Sequence, residues 1–183
     1  MQTAYETERL LLKALNPADA ELALEYYLRN RVFLNEWEPV REETFYTLKN
    51  QRELLTQERA DFESGRSFRA WIFKKGEEGR AIGTFGFSNI VRGAFLSCFL
   101  GYKLDARETC NGYMTEALKK GISILFEEYG LHRIEANIMP KNKASLRVVE
   151  KLGFSCEGLS PKYLKINGVW EDHIHMVLMN DNV

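Results

Sequence analysis

Three aromatic-rich segments follow one another with only short interruptions: Phe68–Phe73, Ala81–Phe87 and Phe95–Leu104. Residues of this kind fit a pleated, half-buried surface, so all three read as strands. The stretches between them, around Lys74–Gly79 and Val91–Ala94, are turn-like and short. Such spacing suits an antiparallel meander, since parallel neighbours need a longer crossover. Gly101, inside the third strand, points to a bulge or a close backbone approach.

The flanks of the meander have a different rhythm. A strand signal at Arg9–Leu15 precedes Asn16-Pro17, a helix start with Asn as the cap. A first helix is expected to end near Asn30, and a second to run from about Glu43 to Glu63, with irregular chain around Trp37-Glu38-Pro39 between them. After Arg107 the order is helix, strand, helix, strand, strand. Asn167-Gly168 joins the last two, near Lys162–Ile166 and Val169–Met179, as a hairpin turn. The expected order is β-α-α-β-β-β-α-β-α-β-β, a mixed α/β sheet in one domain over residues 1–183.

Composition excludes several function classes. With 25 basic and 26 acidic residues the net charge is −1, which argues against a broad nucleic-acid footprint. No apolar run approaches the ~20 residues needed to span a bilayer. The opening MQTAYETERL has no export pattern, and Cys98, Cys110 and Cys156 have neither disulfide nor zinc spacing. A cytoplasmic location is expected. His173 and His175 share a strand face with Glu171, but spacing supplies no further ligand, so no metal is expected. Either histidine is suited to relaying a proton.

Two segments have chemical promise. Leu104–Ala117 joins a strand to a helix through Gly112, and a helix start is a natural seat for an anion such as a pyrophosphate. By itself such a glycine is usually only a sharp corner. Asn142–Phe154 reads as a capped amphipathic helix with Gly153 as terminator, in which Ser145 can serve the first turn. Neither GxGxxG nor a P-loop pattern is present.

In this order, the two segments resemble the acyl-CoA-binding core of the GNAT superfamily of N-acetyltransferases. More narrowly, the chain resembles the ribosomal-protein-alanine N-acetyltransferase branch (the RimJ/RimL type). Thr7–Leu12 is similar to that branch's opening strand, Trp37-Glu38-Pro39 to its early loop, and Asn111–Leu118 to its pyrophosphate loop and helix. Leu131–Ala136, Asn142–Ser145 and Glu150–Phe154 are similar to its second cofactor motif.

The resemblance implies a GNAT-like, mostly antiparallel sheet of about seven strands flanked by about four helices. It implies acetyl-CoA as cosubstrate and an amine acceptor. Carried over by position, the backbone of Cys110, Asn111, Gly112, Tyr113, Met114 and Thr115 would hold the pyrophosphate. Tyr102, Lys103 and Leu104 would pair with the pantetheine arm, and Asn142 would hydrogen-bond it. Ser145 would sit by the thioester sulfur as the catalytic acid, and Trp37 and Glu38 would border the acceptor.

Four departures accompany the match. The loop opens on Thr109 where relatives carry Gln or Arg, and Met114 replaces a small residue. Two glutamates that relatives carry, one used as a base in some of them, read here as Phe99 and Leu164, so the base is unassigned. A lysine acceptor is neutral at pH 7 in only about one molecule per few thousand, a protein α-amine in roughly one of seven. A site without an obvious base therefore suits the α-amine of a protein N-terminus, such as that of a ribosomal protein. A polyamine or antibiotic acceptor and a non-catalytic CoA-binding module remain as alternatives, and the oligomeric state, monomer or homodimer, is open.

Overall fold

Residues 2–183 are described by a computed structural model. The meander is present as β3 (Phe68–Lys74), β4 (Ala81–Val91) and β5 (Ser97–Leu104), paired antiparallel in chain order. Ahead of it lie β1 (Ala4–Glu6) and β2 (Leu10–Lys13), a hairpin that extends the sheet beyond β3. The expected strand at Arg9–Leu15 is thus β2. Three-residue β1 is too short to show a period, which is why the sheet has eight strands rather than about seven.

Asn16 caps a single 3-10 turn over Pro17–Asp19, after which α1 runs from Ala20 to Leu34, one turn further than expected. The helix expected over 43–63 is divided. Glu43–Tyr46 is a 3-10 turn, Thr47 is extended and accepts a hydrogen bond from the Asn50 amide, and α2 spans Leu48–Glu63. Beyond β5 come α3 (Tyr113–Glu127), β6 (Arg133–Ile138), α4 (Lys143–Lys151), β7 (Ser155–Ile166) and β8 (Val169–Met179). Asn167 and Gly168 both have positive φ, 44° and 81°, as a tight hairpin turn requires. β7 begins seven residues earlier than expected. Its first half is exposed and twice bulged, so it carries no alternating apolar pattern.

The sheet order is β1-β2-β3-β4-β5-β6-β8-β7. Alternation along β3 sends Ala70 and Ile72 to one core and Trp71 and Phe73 to the other. α3 and α4 cover the first face, where Gly121 lets α3 approach closely: a Cβ there would lie 2.7 Å from the Phe85 ring. α1 and α2 cover the second, where Tyr26 and Tyr27 pack edge-on against Trp71 at 5.5 and 5.7 Å.

One irregularity positions the site. β5 and β6 are the parallel pair, and their ladder holds only Ser97↔Arg133, Cys98↔Ile134 and Phe99↔Glu135. Beyond Phe99 the strands part. β6 keeps pairing with β8 as far as Ile138, while Leu100–Leu104 pair only with β4.

Candidate active site

The parting of β5 and β6 opens a cleft of about 440 Å3 through the sheet, within the range that holds small ligands. Gly101 stands in the gap, and a Cβ there would meet nothing within 4 Å. One wall is the start of α4, the other the side covered by α1 and α2.

Successive residues of β5 point to opposite walls. Tyr102 turns toward α4, where its hydroxyl donates to the Ser145 carbonyl at 2.8 Å. The Ser145 hydroxyl donates to the Tyr102 phenol oxygen at 2.7 Å. Capping of α4 falls to Asn142 instead, whose Oδ1 accepts from the Ser145 amide at 3.1 Å. That leaves the Asn142 amide N–H groups outside the cap, on a residue that lines the cleft. Burial pushes the Tyr102 phenol up, against a smaller opposite effect of the Ser145 hydrogen bond. The phenol is therefore a neutral O–H donor across the physiological range.

The loop before α3 adopts two consecutive-but-one left-handed residues, Cys110 at φ 64° and Gly112 at φ 78°. Its first α3 amides, from Tyr113 onward, have no partner inside the helix. Asp105 anchors the approach to this loop. It is buried, 1% exposed, and accepts from Arg29 Nε at 2.7 Å, Arg80 Nη2 at 2.8 Å and the Arg107 amide at 3.0 Å. Burial alone would raise its carboxyl, but these donors hold it below the usual carboxylate range.

A cation reaches the loop from far away in the chain. Arg9, in the turn before β2, places Nε 2.7 Å from Glu116 Oε2 and donates from Nη1 to the Asn111 carbonyl at 3.1 Å. Its guanidinium lies 4.7 Å from the centre of the Tyr113 ring, and Nη2 would stand 3.5 Å from a Cβ on Gly112. Glu116 also accepts from the Thr7 hydroxyl at 2.6 Å and the Arg9 amide at 2.8 Å. These hydrogen bonds outweigh burial and hold its carboxyl below the ordinary range. Thr109 spends its hydroxyl on the Ala106 carbonyl.

The opposite wall is charged but balanced. Lys103 turns away from α4 and pairs with Glu38. Glu58 pairs with Arg69 at 3.0 Å, and Asp61 with Arg66 at 2.6 Å. Arg69, Gly86 and Gly101 are register partners across three strands, so the arginine lies over a floor without side chains. Its guanidinium is 3.4 Å from where a Gly86 Cβ would stand. The Asn167 amide donates to the Glu38 carbonyl at 3.2 Å, which ties the β7–β8 turn to the Trp37–Pro39 loop.

Tyr102, Lys103, Asn142, Ser145, Trp37 and Glu38 all line this cleft, as does His173. Leu104 does not; it packs against the core under α3. Residues 110–115 form the separate anion-suited turn. Phe99 and Leu164 are partly exposed hydrocarbon and unable to accept a proton. Glu58, Asp61 and Arg69 carry no local sequence signal, because α2 and β3 bring them together only on folding. The Arg9–Glu116 pair spans 107 positions and is equally silent in the sequence. Among the described residues no helix is long and apolar enough to cross a membrane, and no group of three His, Cys, Asp or Glu is placed to hold a metal.

Residues 9–155 match the family model described as acetyltransferase (GNAT) domain. The chain is 38% identical over 168 residues to the [ribosomal protein uS5]-alanine N-acetyltransferase of Escherichia coli strain K12, covering 92% of this chain and 86% of that one. Its fold is similar to the ribosomal-protein-S5-alanine acetyltransferase from Vibrio fischeri, with TM-score 0.94, 35% identity, and 99% and 98% of the two chains covered. It is also similar to Mycobacterium smegmatis RimJ in complex with CoA-disulfide, with TM-score 0.87, 28% identity, and 95% and 83% covered.

Proposed function

The chain belongs to the GNAT acetyltransferase family and is an acetyl-CoA-dependent N-acetyltransferase, and from that premise we propose that its acceptor is the α-amine of a protein N-terminus, of the ribosomal-protein-alanine kind. The observation that carries the reading is the gap beyond Phe99, where unpaired β5 backbone, the Tyr102–Ser145 hydroxyl pair and a charge-balanced acceptor wall meet.

The pantetheine arm pairs with the free edge of β5 and takes a hydrogen bond from Asn142. The pyrophosphate sits on the amides of Cys110–Thr115, and the Arg9 guanidinium beside Gly112 offers a side-chain contact in place of the one that Thr109 lacks. This places the thioester in the gap beside Ser145. A neutral amine attacks the acetyl carbon, the C–S bond breaks, and the Ser145–Tyr102 pair delivers a proton to the departing thiolate. Backbone N–H groups of the parted strand stabilise the oxyanion of the tetrahedral intermediate.

The acceptor wall favours a protein terminus over a polyamine. A polycation gains from unpaired carboxylates, whereas Glu38, Glu58 and Asp61 each already face a cation. Both uS5/S5-alanine enzymes to which the chain is similar act, by their names, on an alanine of a ribosomal protein. The test is acetyl-CoA-dependent thiol release across N-terminal peptides, polyamines and aminoglycoside-type antibiotics. Turnover confined to polyamines or antibiotics contradicts the assignment.

A further inference from the structure

The family glutamates are absent, yet an ammonium acceptor must lose a proton before it attacks. Resting on the acetyltransferase reading above, we infer that His173 is the catalytic base, taking that proton on Nε2 directly or through one water.

His173 lies on β8 with 3% of its surface exposed, and it lines the cleft together with Asn142 and Ser145. Its Nδ1 is 3.0 Å from the Glu171 carbonyl oxygen. A carbonyl oxygen only accepts, so Nδ1 must hold the ring hydrogen. A neutral ring has one such hydrogen, which leaves Nε2 as a lone-pair acceptor. The backbone thus selects the tautomer that a base requires, and imidazole is the side chain best matched to proton transfer near neutrality.

His175, two residues on, has been committed elsewhere. Its Nδ1 meets Glu135 at 2.7 Å, its Nε2 is buried without a partner among the described residues, and it does not line the cleft. The other charges around His173 are paired. Glu171 on the same strand holds Lys141 at 2.6 Å, Glu135 on β6 holds His175 and Arg133, and the cleft carboxylates hold the cations given above. From β7, the Tyr163 ring packs 5.6 Å from the imidazole. Glu58, raised by burial against the pull of Arg69, keeps a cation on its carboxyl, whereas no ion pair among the described residues involves His173.

The balance is simple. The proton leaves the ammonium for Nε2, the N–C bond forms, and the C–S bond breaks. The thiolate is protonated from the Ser145–Tyr102 pair, the pair recovers the second proton that the attacking nitrogen loses as the amide forms, and His173 returns its proton to water.

The test compares kcat/KM of the parent and His173→Asn with an N-terminal peptide between pH 7 and 9. The Asn amide keeps a donor for the Glu171 carbonyl but has no basic nitrogen. Without a base only the neutral amine reacts, about one-seventh at pH 7 and over nine-tenths at pH 9 for an α-amine. The variant is expected to be about sevenfold slower than the parent at pH 7, within twofold at pH 9, and unchanged in acetyl-CoA affinity. Parallel profiles, or no loss at pH 7, overturn the proposal. Nitrogen-15 shifts of the neutral parent ring give a second readout, expected to show hydrogen on Nδ1; hydrogen on Nε2 overturns the proposal whatever the variant does. A parent that releases no thiol with any amine removes the acetyltransferase reading itself, a distinct result.

Discussion

Replacing Ser145 by alanine separates a structural from a chemical role, because the structure assigns the two to different atoms. Capping of α4 runs through the Ser145 backbone amide and Asn142 Oδ1, which the substitution leaves in place. What is lost is the hydroxyl's bond to the Tyr102 phenol oxygen at 2.7 Å. Tyr102 is not orphaned as a donor, since it still reaches the residue-145 carbonyl at 2.8 Å. A neutral hydrogen bond of this kind contributes about 0.5–1.5 kcal/mol net. For a chain of this length, 1 kcal/mol corresponds to a Tm change of about 2–4 °C. Activity should respond much more. If the pair protonates the thiolate, kcat is expected to fall at least ~10-fold, about 1.4 kcal/mol of barrier, at unchanged acetyl-CoA affinity. Tyr102→Phe should fall similarly, and the double variant should be little worse than either, because two members of one relay are not additive. The assay is steady-state thiol release alongside CoA titration and a melting curve. An intact kcat in Ser145→Ala, or additive losses in the double variant, would refute the relay.

Three further outcomes follow from the same geometry. Arg9→Ala and Gly112→Val, which strike the anion loop from either side, should each weaken CoA binding at least tenfold by calorimetry, and a folded variant within twofold of the parent contradicts the loop assignment. Trp37→Ala should raise the acceptor KM while leaving the acetyl-CoA dissociation constant within about twofold; the reverse pattern would assign that loop to the cofactor. Asp105, whose carboxyl is held low in the folded state, contributes stability that is present above the ordinary carboxylate range and lost as pH falls through its lowered value. Asp105→Asn should therefore be less stable at pH 7 and lose less on acidification, as followed by chemical denaturation at several pH values.

Local chemistry made the second half of the chain legible. Gly112, Asn142 and Asn167-Gly168 stand where backbone geometry needs them, and α3, α4 and the closing hairpin start or turn there. The meander was equally readable, because burial on both faces favours aromatic and branched residues along β3 and along β4 as far as Phe87. Elements with little burial were not. β1 has three residues, and the early half of β7 is exposed and bulged, so neither leaves an apolar period. The candidate site divides the same way. Asn142 and Ser145 sit in a local motif, whereas Arg9 with Glu116, Lys103 with Glu38 and Tyr102 with Ser145 meet only through tertiary structure. Thr109 was visible as a departure in the loop, but the approach of Arg9 to Gly112 from the first strand turn was not.

The central claim is that the parted strands hold an acetyl-CoA thioester against a protein α-amine. Its most direct test is thiol release from acetyl-CoA with two versions of one alanine-initiated peptide containing an internal lysine. One carries a free N-terminus and the other an acetyl-blocked one, with a polyamine run alongside. Release is expected with the free peptide, with the product's mass increase on the terminal alanine, and at least a hundredfold less with the blocked peptide or the polyamine. The pKa gap between the terminal α-amine and the lysine amine alone is worth ~3.5 kcal/mol, about 400-fold. Equal release from the blocked peptide, or preference for the polyamine, would contradict the claim.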